Sequence, residues 1–435
     1  MRHEGESLDY YAATLGEPPD WPILAGNADT EVCIVGGGFA GLNTALGLAE
    51  RGKSDVVLLE ARTPGFGASG RNGGFVFGGF SRSEESLLRE LGPTRAPALY
   101  RGTTAAVELI RRRIVDYGIA CDDTHAGVLW ANWFADPSVL IDRQGLLRER
   151  FDVEWEWLPR DELRKRVFSA RYHDALYESQ GFHFHPLKYA QGIALAAAER
   201  GVAVHAGTPA ISLQRSGQGW RVATPQGYVQ ARHVVLACGG YLSGLDRRVD
   251  AGAMPIATYV MVTEPLGARM DDILRTRSAV YDTRFAFDYY RPLPDSRLLW
   301  GGRISVRHRS PSAVRDLLRS DMLKVFPQLD GVGIDYAWSG LMSYARHQMP
   351  QIGQAEPGLW YAQAFGGHGV APTTFAGEVL ASAIAGGDAR WREFADYGLV
   401  SAMKPVGYAA AQLSYWWAEF RDAWKDRMEG SGRAD

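Results

Sequence analysis

The stretch that most constrains this chain is TEVCIVGGGFAGLNTALGLAERGKSDVVLLEA, residues 30–61. An apolar run, a glycine turn, an alanine-rich helical segment, an RGK turn and a second apolar run predict one βαβ unit of about 30 residues. Gly36, Gly38 and Gly41 complete G-x-G-x-x-G between strand and helix, and Glu60 ends the second strand nineteen positions beyond Gly41. Each piece has a task. Gly36 makes the tight turn, Gly38 lets backbone approach a pyrophosphate, and Gly41 lets helix pack on strand. Phe39 and Ala40 open the helix, whose N–H groups and positive dipole end suit phosphate. Glu60, with Ala61 after it, is placed to accept hydrogen bonds from ribose hydroxyls.

Directly after that acid comes GFGASGRNGG, residues 65–74. A loop this small lets a long dinucleotide run on past its pyrophosphate, which points from NAD towards FAD. Gly67, Ala68, Gly73 and Gly74 keep side chains away, Ser69 and backbone N–H groups can bind phosphate, and Arg71 or Asn72 can sit near the flavin end. The plainer alternative for Arg71 is a surface salt bridge. Near the C-terminus LWYAQAFGGHGVAPTTFAGEVLASAIAG repeats strand, glycine loop and helix. Gly366, Gly367, Gly369 and Val370 can bring N–H groups towards the pyrimidine oxygen of a flavin, where reduction builds negative charge. His368 either faces the flavin or hydrogen-bonds its own loop. Ala210, Cys238 and Gly239 complete the cofactor-binding candidates.

With 435 residues the chain exceeds one compact core, so two joined domains are expected. The 47 basic and 50 acidic residues nearly cancel, which argues against a nucleic-acid partner. Cys33, Cys121 and Cys238 are far apart without CxxC spacing, so neither a disulfide framework nor a metal site is expected. No stretch reads as a signal peptide or a bilayer span, and a soluble cytoplasmic protein is expected. Residues 1–27 read as a polar arm. Residues 82–150 read as mostly helical, 188–201 as an alanine-rich helix, and 254–345 as alternating strands and turns. In 401–435 Leu413, Trp416, Phe420 and Trp424 share one helical face, expected to dock on the body or form a subunit interface. Glu419 and Asp422 on the remaining face argue against membrane insertion.

The segments SLDYYAAT, GGGFAGLNTAL, GFGASGRNGG, HFHPLKYAQG, YYRPLPDSRLLWGGR and FGGHGV together resemble the D-amino-acid oxidase superfamily, and within it the gamma-glutamylputrescine oxidase group. The resemblance covers residues 8–390. It implies an α/β architecture: a Rossmann-like FAD domain split along the chain (28–85, 151–245 and 350–400) and a mixed-sheet α+β substrate domain (86–150 and 246–349). It also implies oxidation of an amine C–N bond by hydride transfer to flavin N5, followed by imine hydrolysis and reoxidation by dioxygen or another electron acceptor. The protein's share is orientation, desolvation and electrostatics.

Departures from the family sharpen the expectation. Gly340 stands where sarcosine-oxidase-like members attach FAD to a cysteine, and Arg71 where others use a histidine, so non-covalent FAD is expected. Met342 and Ala371 stand where amino-acid-oxidising relatives place a carboxylate-binding arginine and lysine. A substrate without a carboxylate beside the reacting amine follows, with Arg303 and Arg346 as the cations able to compensate. Leu299 takes the place of the oxygen-activating lysine. Tyr289, Tyr290 and Trp338 are candidates for boxing an amine, with plain core packing as their alternative. The runner-up is an oxidase or dehydrogenase of secondary or cyclic amino acids, or the flavin subunit of a hetero-oligomer. A homo-oligomer is compatible with all of these.

Overall fold

The computed structural model describes residues 9–306, 309–404 and 406–431. The first eight residues of the arm and the last four of the C-terminal segment lie outside the described residues. Two eight-stranded sheets organise the rest.

The first sheet grows from the 30–61 unit. Strand Ala28–Val35 pairs in parallel with Val56–Leu59 on one side and Gly227–Leu236 on the other, and Ala203–His205 and Leu359–Gln363 extend the sheet at either flank. Buried on both faces, the inner strands read VCIV and VVLL, continuous apolar runs as a covered parallel sheet requires. Gln351–Glu356 adds an antiparallel edge, and Ser212–Ser216 and Gly219–Thr224 form a meander with Gly227–Leu236. Helix Phe39–Glu50 is buried from Phe39 to Leu48 because it lies among helices Pro186–Ala198 and Val370–Gly386 and the sheet. A Cβ on Gly377 would meet Asn43 at 2.6 Å, so the two glycine-led helices cross at backbone distance.

The second sheet runs Ile334–Tyr344, Met254–Thr263, Leu298–Ser305, Asp288–Pro292, Ala279–Asp282, Val128–Ala131, Ala175–Glu178, Glu156–Leu158. All its pairings are antiparallel except Ala279–Asp282 with Val128–Ala131. Helix Pro311–Val325 covers one face through Val314, Leu318, Met322 and Val325.

Three expectations need correction. The segment 151–245 does not belong whole to the nucleotide domain: Glu156–Leu158 and Ala175–Glu178 pair within the second sheet. Conversely, helix Glu84–Asp116, all but its first two residues inside the 86–150 expected in the substrate domain, docks on the nucleotide helices. Its buried Arg113 bonds Glu50 at 2.6 Å and also bonds Asn43. Third, the C-terminal helix Val406–Ser431 docks through its other face. Tyr415 and Ala418 are buried, the Ile304 N–H donates to the Tyr415 hydroxyl at 3.0 Å, Glu419 pairs with Arg303, and Asp422 accepts from Phe285 N at 2.8 Å. Leu413, Trp416, Phe420 and Trp424 point outward, Trp416 and Trp424 being 55% and 56% exposed. Hydrogen bonds, ion pairs and burial of Tyr415, not burial of the Leu413–Trp424 stripe, seat this helix.

Candidate active site

Between the sheets lies one cavity of about 920 Å³. Gly38, Phe39 and Ala40 line one end, the loop 67–73 and residues Cys238 and Gly239 run beside it, and the loop 366–370 faces it from the C-terminal half. Two helix N-termini therefore open onto one space: Phe39–Glu50 and Val370–Gly386 begin at Gly38 and Gly369, neither capped by its own side chain. In the first, Phe39 N donates to Ser69 Oγ at 2.8 Å, tying the glycine loop to the helix. Gly36 has φ +111°, and a Cβ there would lie 2.7 Å from the Ala237 carbonyl oxygen. A Cβ on Gly41 would lie 2.0 Å from the Gly36 oxygen. No larger residue fits either place, and the resulting cradle of bare backbone suits a pyrophosphate.

Glu60 stands off the cavity. Its carboxylate accepts from Gly37 N at 2.7 Å and Arg62 N at 2.8 Å, so it pins the turn while spare lone pairs stay available to hydroxyl donors. Burial pushes its carboxyl above the ordinary range, and the backbone N–H groups of Arg62, Gly37 and Ala61 draw it back in part. Gly36, Gly41, Glu60, Ala61 and Gly74 do not line the cavity. Ala210 does not line it either and packs against the apolar cluster of Cys33, Leu59 and Leu236.

The loop 65–74 is held from several sides. Asn72 donates to the Ala68 and Ser69 carbonyls at 3.0 and 2.8 Å and accepts from Gly74 N at 2.7 Å, so it staples the loop. The Arg71 guanidinium lies over the Phe66 ring at 4.5 Å and 3.6 Å from Asp9. Gly340 faces it, a Cβ there falling 3.5 Å from Arg71 Cβ. His368 reaches across to Phe77: its Nε2–H donates to the Phe77 carbonyl at 3.2 Å, and the two rings meet edge-on at 4.1 Å. Burial pushes its pKa down to about 4, so the imidazole is neutral near pH 7, with Nδ1 as its acceptor.

The substrate-contact candidates separate. Tyr289 lines the cavity, edge-on to Phe75 at 5.5 Å. Tyr290 does not: strand alternation turns it to the opposite face, where it is fully buried and stacked on Trp300 at 4.6 Å. Trp338 does not line the cavity either. Its indole N–H donates to the Arg71 carbonyl at 3.0 Å and its ring meets Tyr11 edge-on, so it supports the loop from behind.

Arg303 reaches the cavity but is held by Asp321 at 2.8 Å and by Glu419, and so cannot serve a substrate carboxylate without giving up those partners. Arg346 is exposed at the cavity edge and pairs with no carboxylate among the described residues. Met342 and Ala371 both line the cavity, whereas Leu299 is buried in the cluster of Tyr10, Tyr11 and Leu187.

Sequence reasoning missed one wall altogether. Phe77, Tyr281, Trp130, Glu84 and Arg143 line the cavity beyond His368. Phe77 stacks on Tyr281 (5.5 Å), Tyr281 on Trp130 (6.3 Å), and the Arg143 guanidinium covers Trp130 at 4.5 Å while donating to Glu84 at 2.9 Å. No local motif marks these residues. They come from four elements and the loop after strand Phe75–Val76, which only the tertiary fold brings together.

A Rossmann-type sheet joined to a mixed second sheet over one shared cavity, with two helix N-termini aimed into it, defines a dinucleotide-dependent oxidoreductase. Residues 31–383 match DAO, FAD dependent oxidoreductase, and the chain belongs to that family. It is 35% identical over 389 residues to gamma-glutamylputrescine oxidoreductase of Escherichia coli (strain K12), covering 89% of this chain and 91% of that one. A probable oxidoreductase OrdL of Haemophilus influenzae is 32% identical over 397 residues, covering 88% and 89%. Among solved structures, glycine oxidase from Geobacillus kaustophilus superposes with a TM-score of 0.71 at 22% identity, over 86% of this chain and 99% of that one, and shares the fold. The protein is therefore FAD-dependent, and the glycine cradle and the two helix ends fit that cofactor.

Proposed function

We propose that the chain is an FAD-dependent amine oxidase of the gamma-glutamylputrescine type, oxidising the C–N bond of an amine that carries no carboxylate beside the reacting carbon. The observation that carries the reading is the cavity wall formed by Met342 and Ala371, with Arg303 already committed to Asp321 and Glu419. A carboxylate brought against that wall would be desolvated, with the solvent-exposed Arg346 at the cavity edge as the cation left to meet it. The identity to the Escherichia coli enzyme supports the same substrate class.

Gly38, Phe39, Ala40 and Ser69 hold the phosphates, Glu60 the ribose, and the loops 67–73 and 366–370 the flavin ring, without a covalent link. The chemistry FAD supplies when bound is two-electron oxidation of the substrate, with hydride as the transferred hydrogen and dioxygen as final acceptor. The chain's own contribution is desolvation and orientation by Phe77, Tyr281 and Tyr289, which favour the neutral amine whose lone pair must assist loss of hydride. His368, neutral and joined to Phe77, fixes the C-terminal glycine loop against this aromatic wall.

The test is anaerobic reduction of the bound flavin, followed as loss of its visible absorption, with N-acylated diamines against amino acids. Rapid reduction by the diamines alone is expected. Reduction by proline, pipecolate or sarcosine instead would overturn the reading and return attention to Arg346. Readmitted air is expected to restore the flavin with formation of peroxide, and acid precipitation to release FAD into the supernatant.

A further inference from the structure

Five arginines line the cavity, and their partners sort them. Arg284 is enclosed by Asp282 at 2.6 Å and by Asp288, Arg303 by Asp321 and Glu419, and Arg71 lies beside Asp9 and Phe66. Arg346 is exposed. Arg143 differs from all of these. It sits between the indoles of Trp130 and Trp155, at 4.5 and 4.9 Å, and bonds one carboxylate, Glu84, at 2.9 Å. Its buried Nε has no hydrogen-bond partner among the described residues, while the Tyr281 hydroxyl lies against the guanidinium and Glu178, behind it, is held by the Gly78 backbone. A buried donor left unmet is destabilising unless something bonds it. A buried guanidinium with one carboxylate partner and an unmet Nε–H, lining a cavity beside the Tyr281 hydroxyl, marks a place suited to a polar ligand.

We propose that Arg143 and Glu84, walled by Trp130 and Tyr281, form a remote subsite that recognises a zwitterionic head, a carboxylate and an ammonium together, at the end of the substrate opposite the oxidised amine. The assignment rests on the amine-oxidase reading above and names the substrate class more closely. Charge decides between ligands. Arg143 and Glu84 cancel, so a head with no net charge enters without leaving an uncompensated ion, whereas a lone carboxylate or a lone ammonium would. The guanidinium has donors left for a carboxylate in the fork geometry that favours arginine. Glu84, 5% exposed, offers acceptors for the ammonium.

The subsite also communicates with the reacting end. A Cβ placed on Gly79 would lie 3.6 Å from Glu84 Oε1 and 3.7 Å from His368 Cε1, so the acid and the glycine-loop histidine flank the same backbone. The aromatic steps from Phe77 through Tyr281 to Trp130 give an apolar passage for the methylene chain between the two ends. The Met342 and Ala371 wall and the Arg143 and Glu84 pair are therefore different parts of one cavity.

The experiment compares two probes differing only in the head: N-(γ-L-glutamyl)-1,4-diaminobutane and N-acetyl-1,4-diaminobutane, with holoenzyme. Wild type is expected to prefer the glutamyl compound. In Arg143→Met, kcat/KM for it should fall about 100-fold, chiefly through KM, while the acetyl compound changes less than about threefold. Arg143→Lys keeps the charge without the fork and should recover part of the loss on the glutamyl compound only. Equal losses on both probes would make Arg143 a structural ion pair and overturn the subsite. Equal turnover of both probes by wild type would overturn it while leaving the amine-oxidase reading intact. Failure of both probes, with turnover of amino acids, would instead remove the reading on which it rests.

Discussion

At the scale of single residues, the motif glycines and the buried acids act by different physics. Gly41 tolerates no side chain, because a Cβ would fall 2.0 Å from the backbone oxygen of Gly36. Overpacking there costs about 1–3 kcal/mol, and since the displaced atoms form the phosphate cradle, FAD affinity should fall about ten- to a hundredfold in Gly41→Ala. Flavin retained per chain after gel filtration measures this, and full retention would contradict the assignment of the cradle. Glu178 is governed by desolvation, which pushes its carboxyl up to about 8 despite the nearby Arg143. The folded state keeps a proton that the unfolded chain gives up near 4.5. Its contribution to stability is therefore complete below that pH and is lost as pH rises through about 8, at up to about 1.4 kcal/mol per pH unit. Thermal melts between pH 5 and 8 should slope downward more steeply for wild type than for Glu178→Gln, and parallel slopes would refute it. The motif glycines were legible because their need is local. Glu178 was not, since nothing in ALYES announces that Arg143 and Glu84 will lie beside it.

At the scale of elements, period and placement were legible but orientation was not. The 30–61 unit folds as its pattern dictates, and the second glycine loop opens helix Val370–Gly386. Strand Asp288–Pro292 was recognisable too, yet Tyr289 and Tyr290 are adjacent aromatics, and alternation sends only one to the cavity. Sequence alone does not say which. The C-terminal helix shows the converse difficulty. Its aromatic stripe has the helical period of a buried face, but the opposite face carries Tyr415, Glu419, Asp422 and Asp426, which bond strand Leu298–Ser305, the Phe285 turn and Arg171. These partners lie more than a hundred residues upstream, beyond any local pattern. The helix also lines the cavity through Ala410, Ala411, Ser414 and Tyr415, so its seating bears on substrate access. Removing two anchors in Glu419→Gln/Asp422→Asn should weaken docking by about 1–2 kcal/mol. Limited proteolysis within 398–412 should then accelerate about tenfold, with the main melting transition little changed. An unchanged cleavage rate would show that these bonds do not seat the helix.

At the scale of the whole molecule, the chain passes repeatedly between its two sheets, so the cavity exists only if they are locked in register. One residue carries much of that lock. Arg291, on second-sheet strand Asp288–Pro292, is 2% exposed and pairs with no carboxylate among the described residues. It donates instead to the Gly73 carbonyl at 2.7 Å, the Phe184 carbonyl at 2.8 Å, the Tyr11 hydroxyl at 3.1 Å and His183 Nδ1 at 3.2 Å. Burial pushes the His183 pKa down to about 3, and its Nε2–H donates to the Arg277 carbonyl, which leaves Nδ1 bare to accept from the guanidinium. Tyr11 in turn donates to the Asn72 carbonyl at 2.9 Å. The guanidinium thus joins the N-terminal arm, the flavin loop and the segment before helix Pro186–Ala198 to the substrate sheet. Arg291→Met keeps the volume and orphans four acceptors at about 1–3 kcal/mol each. Because relaxation recovers part of this, a loss of about 3–5 kcal/mol is expected, together with release of FAD, since the orphaned Gly73 carbonyl belongs to its loop and Tyr11, which loses the same partner, holds Asn72. Arg291→Lys reaches at most three of the four acceptors and should fall between. Urea unfolding followed in parallel by tryptophan and flavin fluorescence separates the effects. Flavin release preceding global unfolding in the methionine variant, but coinciding with it in wild type, would establish that Arg291 couples the two sheets through the cofactor loop. Coincident transitions in both proteins would confine Arg291 to core stability.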